Sequence, residues 1–333
     1  MLIQKKELVS ICIPVYNGGA YLNDTLESII NQTYENIEII ISDNCSTDNT
    51  KEICLKYQMS DNRIKYFRND NNIGYCSNIN NAVSKSKGEI IAIFHADDIY
   101  DKKIIEIEMK LLTETENIQG VFSGMEFYYS EKKIKKNNIL KKLLNTELFH
   151  SQKNAFIGGY QEFIPILMKY GNIFACPSFL TKKSIFTSIG GFTDVYKTNE
   201  DLELWIKYLK SGYKLAIANN ELLKYRVSQI NASAKVRTSS EIGVVYSVIE
   251  DMIIYKNINI THTDLVNFKK YKAFGYIFAA YNAYVEKNIS KMNANIKLSM
   301  ASYNYSILSH LGICQKLPNF CFNIKKKVNN FID

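Results

Sequence analysis

No two of the seven cysteines in this 333-residue chain stand in a CxxC pair. They are scattered at positions 12, 45, 54, 76, 176, 314 and 321. An odd, dispersed set excludes a disulfide framework and a thiolate zinc site, and fits a reducing compartment. The four histidines, His95, His150, His262 and His310, form no HExxH pattern. No GxGxxG follows the first apolar run, so the dinucleotide fingerprint is missing and a dehydrogenase is excluded. No apolar segment reaches the eighteen or so residues that a membrane span needs. The first apolar run, Leu8 to Val15, is too short for a secretory leader and reads as a strand. The expected location is therefore cytoplasmic. There is no internal repeat, and no low-complexity stretch beyond lysine-rich patches.

What the chain does have is positive charge, +8 in all. Residues 131–142 carry six lysines against one glutamate. Near the end, Lys325, Lys326 and Lys327 lie between Phe320, Phe322 and Ile324 on one side and Val328 and Phe331 on the other. A basic face interleaved with aromatics suits anionic lipid headgroups. It also suits nucleic acid, but nothing else here resembles a nucleic-acid module. An anionic membrane surface at the inner face of the cell membrane is the expected partner, with a solvated lysine-rich surface as the plain alternative.

Along the first 130 residues, short apolar runs alternate with amphipathic ones. Strands are expected at Leu8–Val15, Ile37–Ser42, Ile64–Phe67, Glu89–Phe94 and Gly120–Tyr129. Helices are expected at Tyr21–Asn31, at Thr47–Tyr57 with Ser46 or Thr47 as its cap, around Ile79–Lys85, and at Asp101–Leu112. This alternation implies an α/β fold with a doubly wound, mostly parallel sheet. Residues 131–160 read as a loop or insertion. Beyond them a helix is expected at Tyr160–Tyr170, a strand at Phe174–Thr181, a helix from Glu200 to Ser211 and a strand at Lys214–Tyr225. After residue 240 the pattern is helical only. Phe268, Tyr271, Phe274, Ile277, Phe278, Tyr281, Tyr284 and Val285 recur at helical spacing, as core packing does.

The fourth strand, Ile90-Ile91-Ala92-Ile93-Phe94, is apolar at every position and runs straight into His95-Ala96-Asp97-Asp98. Such a strand is covered on both faces. Ligands in open parallel sheets bind beyond the carboxyl ends of the strands. A carboxylate pair placed there either holds a divalent cation against phosphate oxygens or caps the next helix. The second strand ends in Ser42-Asp43-Asn44-Cys45-Ser46-Thr47-Asp48, which converges on the first strand's Pro14-Val15-Tyr16-Asn17. Asp43 is either a ligand for a base or a turn residue bonded to its own loop. Glu200 and Asp201 open a helix after a plausible Asn199 cap, where they either complement the helix dipole or act chemically. The dipole is expected to lower the Asp201 pKa.

Together these motifs resemble glycosyltransferase family 2, whose members have the GT-A fold. The likeness is carried by Ser10-Ile11-Cys12-Ile13-Pro14-Val15-Tyr16-Asn17, Leu26-Glu27-Ser28-Ile29, Gln32-Thr33-Tyr34 and the run from Glu38 to Asp48. It continues through Asn72-Ile73-Gly74, Lys87-Gly88-Glu89, Ala96-Asp97-Asp98, Gly190-Gly191-Phe192, Glu200-Asp201 with Leu204-Trp205, and Tyr225-Arg226. It spans residues 8–235. The resemblance implies a catalytic domain over 1–235, with a nucleotide-sugar half (1–130) and an acceptor half (160–235), and a helical C-terminal region over 240–333. It implies an inverting, metal-dependent transfer from a nucleotide sugar, a UDP-sugar foremost, to a glycan or lipid-linked glycan in cell-surface polysaccharide or glycolipid assembly. In that scheme Pro14, Val15, Tyr16, Asn17 and Asp43 bind the base, with Asn72 and Gly74 beside them. Asp97 contacts the ribose or donor sugar, and Asp98 holds Mg²⁺ or Mn²⁺. Asp201 is the general base, and Glu200 supports the base or the acceptor.

Three positions depart from the commoner family pattern. His95 stands where many members have an acid. Ile79-Asn80 stands where many have Arg-Asn, leaving Arg68, Lys85 and Arg226 as candidate phosphate cations. Ser228 stands where many have histidine. Two other readings compete: a catalytically silent sugar-nucleotide binder or scaffold, and a nucleotidyltransferase, for which Asn17-Gly18-Gly19 is a poor phosphate loop.

Overall fold

The computed structural model describes residues 6–129, 155–196, 199–227, 249–251 and 260–302. Both lysine-rich segments, and Ser228, lie outside the described residues. The chain divides into two compact units: Met1–Phe163 with Asn172–Ser228, and Ile164–Gly171 with Gln229–Asp333.

The first unit is built on one mixed, mostly parallel-cored sheet. In chain order its elements are β1 (Val9–Val15), α1 (Leu22–Ile30), β2 (Ile37–Asp43), α2 (Thr50–Ser60), β3 (Ile64–Arg68), α3 (Tyr75–Lys85), β4 (Ile90–Ile93), β5 (Ile99–Tyr100), α4 (Ile104–Glu114), β6 (Ile118–Tyr129) and β7 (Ala155–Gly158). After α5 (Tyr160–Tyr170), whose residues from Ile164 on belong to the second unit, come a 3₁₀ turn at Cys176–Ser178, β8 (Phe179–Lys182), α6 (Lys183–Ser188), α7 (Glu200–Lys210) and β9 (Lys214–Val227). The strand order is β3-β2-β1-β4-β8-β6-β9-β5, with β7 also on β9. β1 runs parallel to both β2 and β4, whereas β4 meets β8 antiparallel.

This order explains where a ligand can enter. From β1 the chain winds outward to β2 and β3, then returns through α3 to place β4 on the other flank of β1. The winding direction reverses between β1 and β4, which opens a crevice at their carboxyl ends. Every residue of β1, β2 and β4 is buried, as their predominantly apolar sequences required. Of the two acids inside them, Asp43 ends β2 at the crevice, and Glu38 is satisfied at the opposite end of the sheet. Its Oε1 accepts from Ser10 Oγ and from the Lys87 and Gly88 amides, so a buried carboxylate costs little there.

Four details differ from the sequence-based expectation. α2 begins at Thr50, not Thr47, because Ser46 and Thr47 are bonded instead to Asn17; Asp48 Oδ1 accepts from the Thr50 amide. The expected strand at Phe174–Thr181 starts only at Phe179, since Pro177 lacks an amide proton and turns 176–178 into a 3₁₀ helix. Part of the expected 131–160 loop is strand β7, antiparallel to β9. Asn199 precedes α7 without a side-chain cap.

Motif residues from the second half meet in an aromatic cluster. Trp205, fully buried on α7, has its ring 4.8 Å from Phe122, 4.5 Å from Phe179 and 6.2 Å from Phe192. Asn80 clamps the same region. Its side chain exchanges two hydrogen bonds with the Phe192 backbone, 2.8 and 3.1 Å. The 190–192 turn and the start of α7 are thereby fixed to the sheet.

In the second unit, α8 (His262–Val285) opens with a capping box between Thr261 and Asp264 and packs on α9 (Ile289–Ser302). Of the expected aromatic stripe, Phe268 is buried, whereas Tyr271, Ile277 and Tyr284 are half-buried. The fully buried positions are Ala273, Ala279, Ala280 and Ala283, small enough for a close helix pair, with Ser299 Oγ donating to the Ala273 carbonyl at 2.8 Å.

Candidate active site

Three strand ends and one helix start supply the site. At the end of β1, Pro14 and Val15 of the Pro-Val-Tyr-Asn run are buried in the sheet. They set the backbone course. Tyr16, 52% exposed, and Asn17 present the surface. Asn17 adopts φ 51°, an unusual value for a residue with a side chain but tolerated by asparagine. It then laces β1 to β2, its amide donating to Ser46 Oγ (2.9 Å) and its Oδ1 accepting from the Thr47 amide (2.8 Å).

At the end of β2, Asp43 is fully buried and already bonded. Oδ1 accepts from the Ser46 amide at 2.9 Å, and Oδ2 accepts from the Tyr66 hydroxyl at 2.6 Å. In this state it is a loop organiser. The next residue, Asn44, is a hub that sequence reasoning missed. Its Nδ2 donates to Asn72 Oδ1 (2.8 Å) and the Gly74 carbonyl (3.2 Å), while its Oδ1 accepts from the Ile73 amide (2.9 Å). This is how Asn72 and Gly74 reach the site. Gly74 itself takes φ 85° at the start of α3. Replacing Asn44 with Ala is expected to destabilise the protein by about 2–3 kcal/mol, roughly one per good hydrogen bond lost. Urea unfolding would show this as a lower midpoint at unchanged slope.

At the end of β4, the His95–Asp98 turn is held from several sides. Tyr100 stacks on Phe94 with ring centroids 3.8 Å apart, and its hydroxyl accepts from the His95 amide at 2.6 Å. Thr25 Oγ1 sits within bonding distance of both the Ala96 and Asp98 carbonyls, 3.0 and 2.8 Å. Arg226 contributes most. Its amide donates to Asp98 Oδ1 and its Nε to the Asp97 carbonyl, both at 2.8 Å, while Nη2 pairs with Asp24 at 2.9 Å. The guanidinium is buried over the Tyr21 ring. Arg226 is thus committed to shaping the turn. The other two candidate phosphate cations are also engaged: Arg68 donates to the Ser46 carbonyl at 2.8 Å, and Lys85 lies over the Phe67 ring.

The pair so positioned is electrostatically tense. Burial raises the pKa of both Asp97 and Asp98, and for Asp98 the neighbouring charge of Asp97 adds to it. Asp98 is 1% exposed, and its Oδ2 has no hydrogen-bond partner among the described residues. His95, Asp97 and Asp98 each place one potential ligand atom within 4.8 Å of the others. An orphaned buried carboxylate oxygen beside two further donors is what a divalent cation would satisfy, so these residues fit one.

Tyr75 joins this turn to the second half of the unit. Its hydroxyl lies 2.9 Å from His95 Nε2 and 3.9 Å from Cys176 Sγ. Burial, reinforced by the charges of Asp201 and Glu200, pushes the Cys176 thiol pKa well up. At the start of α7, Asp201 Oδ2 accepts from Asn172 at 2.7 Å and Oδ1 from the Leu202 amide at 2.8 Å. Its pKa is raised to about 6, chiefly by burial, with Glu200 adding repulsion. The direction is opposite to the lowering expected at a helix start: desolvation and the Glu200 charge outweigh the lowering by its hydrogen bonds.

Comparisons with known proteins bear on the family and the fold. The family model described as Glycosyl transferase family 2 matches residues 10–175. The UDP-Glc:alpha-D-GlcNAc-diphosphoundecaprenol beta-1,3-glucosyltransferase WfaP of Escherichia coli is 32% identical over 228 residues, covering 68% of this chain and 80% of WfaP. Glycosyltransferase GlyG of Streptococcus pneumoniae serotype 4 is 38% identical over 125 residues, but the match spans only 38% of this chain and 41% of GlyG. Among solved structures, S. aureus TarS 1–349 in complex with UDP-GlcNAc superposes with a TM-score of 0.57 at 14% identity, covering 90% of this chain and 92% of that one. At that identity the likeness is one of fold.

Proposed function

Since the chain belongs to glycosyltransferase family 2, we propose that it transfers a sugar, with inversion, from a nucleotide-activated donor to an acceptor hydroxyl, using the crevice between β1 and β4. The observation that carries this reading is the His95–Asp98 turn: a half-buried and a fully buried carboxylate side by side, the latter with an unpartnered oxygen, braced by Arg226 and linked through Tyr75 to the flank that holds Asp201.

In this reading the exposed Tyr16 ring and the Asn44–Asn72 lattice border the base. Asp43 forms the floor of that pocket, and a base imide donates to it only once the Tyr66 hydroxyl turns away. Asp97 and Asp98 would hold Mg²⁺ or Mn²⁺, which when bound offsets the negative charge that grows on the departing diphosphate. Asp201 accepts the proton of the acceptor hydroxyl. A pKa near 6 suits it, high enough to take a proton and low enough to leave it mostly ionised at neutral pH. Asn172 and the Leu202 amide aim its two oxygens, and Glu200 keeps its basicity up.

A UDP-sugar is the proposed donor and a lipid-linked glycan the proposed acceptor. The support for the acceptor is the lipid diphosphate named in the activity of WfaP, together with the basic, aromatic-flanked segments at 131–142 and 316–333. No helix among the described residues is long and apolar enough to cross a membrane, so we place the protein at the inner membrane surface through those segments. Flotation with anionic vesicles tests this. Binding that survives deletion of 316–333 together with neutralisation of the 132–142 lysines would refute it.

The donor is tested by melting the protein with Mn²⁺ and a panel of UDP-, dTDP- and GDP-sugars. A UDP-sugar is expected to raise Tm, by about 2.7 kcal/mol of added stability at a hundredfold excess over Kd, and to be hydrolysed or transferred. Stabilisation without turnover, indifferent to Asp201→Asn, would instead mark a silent binder.

A further inference from the structure

His95 is the group in the crevice that the proposed reaction leaves without a task. It sits two residues before the first carboxylate, Asp97, and contributes to the same set of three potential ligands within 4.8 Å. It is half-buried, and its surroundings supply no carboxylate bond to the ring. The one side-chain hydrogen bond that the ring makes among the described residues joins Nε2 to the Tyr75 hydroxyl at 2.9 Å. Donated from Nε2–H, that bond fixes the tautomer and leaves Nδ1 with a lone pair. A histidine whose second nitrogen is tethered in this way is the usual arrangement of an imidazole that binds a metal. The independent sign of an ion is Asp98 Oδ2, buried and unpartnered in the same turn.

We propose that His95 is the third protein ligand of the ion held by Asp97 and Asp98, and that its nitrogen turns the site toward first-row transition ions and away from Mg²⁺. This rests on the metal-dependent reading above. The chemistry follows from the donor set. Two carboxylates and a neutral imidazole carry two negative charges, enough to balance one divalent ion. Mg²⁺ takes oxygen ligands and gains little from nitrogen, whereas imidazole nitrogen favours transition ions, more strongly along the series beyond Mn²⁺. Tyr75 is then a positioning residue that aims the ring.

The test uses the full chain, first with Mn²⁺ alone and then with Mn²⁺ and UDP, read by pulsed electron paramagnetic resonance. A nitrogen modulation is expected that changes when histidine is supplied as ¹⁵N, and that disappears in His95→Gln while the ion remains bound through the carboxylates. Isothermal titration with Co²⁺ and Mg²⁺ gives the preference. His95→Asp is expected to reduce the Co²⁺-over-Mg²⁺ ratio at least tenfold, and Tyr75→Phe to weaken Co²⁺ binding about tenfold, as loss of an outer-sphere partner does. The wild-type spectrum decides the matter even if a variant fails to fold. Bound Mn²⁺ with no histidine nitrogen coupling would overturn this inference and leave the metal-dependent transferase standing. No bound Mn²⁺, with or without UDP, would overturn both.

Discussion

Asp201→Asn is expected to lower sugar transfer by about 10²–10⁴-fold, the range for removing a positioned general base, with donor binding unchanged. The amide cannot accept the acceptor's proton; it keeps the side chain's shape and the bond from the Leu202 amide, but its NH2 replaces the oxygen that accepts from Asn172, and that bond is lost. The pH dependence follows from the raised pKa. In the wild type the carboxylate is protonated below about pH 6, so kcat/KM should climb tenfold per pH unit up to about 6 and level off above it. Residual activity in the Asn variant should lack that limb. Stability moves the other way. A carboxylate whose pKa is raised on folding binds protons more tightly in the folded chain, so its contribution to stability falls as pH rises from its ordinary value near 3.8 through about 6. Asp201→Asn should therefore melt close to wild type at pH 7, the relief of a costly buried charge offsetting the bond lost to Asn172. Equal rates in variant and wild type, across pH, would remove Asp201 from the chemistry.

Asp98→Asn carries the second large effect. Loss of the ion's charge at the diphosphate is worth several kcal/mol. Taking about 3–5 kcal/mol, activity should fall roughly 10²–10⁴-fold at 1.36 kcal/mol per decade, and calorimetry should show divalent-ion binding lost. Without ions, the same variant should be at least as stable as wild type. The amide oxygen can keep the bond from the Arg226 amide, and the substitution removes the buried member of two adjacent carboxylates, the one with an orphaned oxygen. A site that folds more easily without its functional charge is the ordinary cost of binding a cation. A large drop in Tm for the ion-free variant would show that Asp98 is instead a structural bond acceptor.

The two variants probe groups that stand more than a hundred residues apart in sequence. What the structure offers between them is a relay of contacts, from His95 to Tyr75 to Cys176, whose thiol feels the charge of Asp201. Of that relay, sequence pattern singled out Asp201, as an acid opening a helix, and His95, as the residue standing where the commoner motif has an acid. Tyr75 looked like one more aromatic. Asn44 and Tyr66 were equally silent, since asparagine and tyrosine occur wherever a polar edge meets a sheet. Their roles arise from which loops the strand order brings together.

Sequence by itself determined the parallel core. Strands apolar at every position have to be covered on both faces, so β1, β2 and β4 and the helices between them were legible, as was a carboxylate pair at a strand end. That Phe192 and Trp205 meet in one aromatic cluster was decided by the tertiary structure, which brings their two segments together. Tertiary structure alone decided how these parts behave chemically. Burial raises Asp201 to about 6 against hydrogen bonds that pull the other way, hides Asp43 beneath its own loop, and commits Arg226 to the turn it might otherwise have left for a phosphate. Local pattern fixes where a side chain starts along the backbone, whereas solvation and pairing depend on neighbours that arrive from distant parts of the chain.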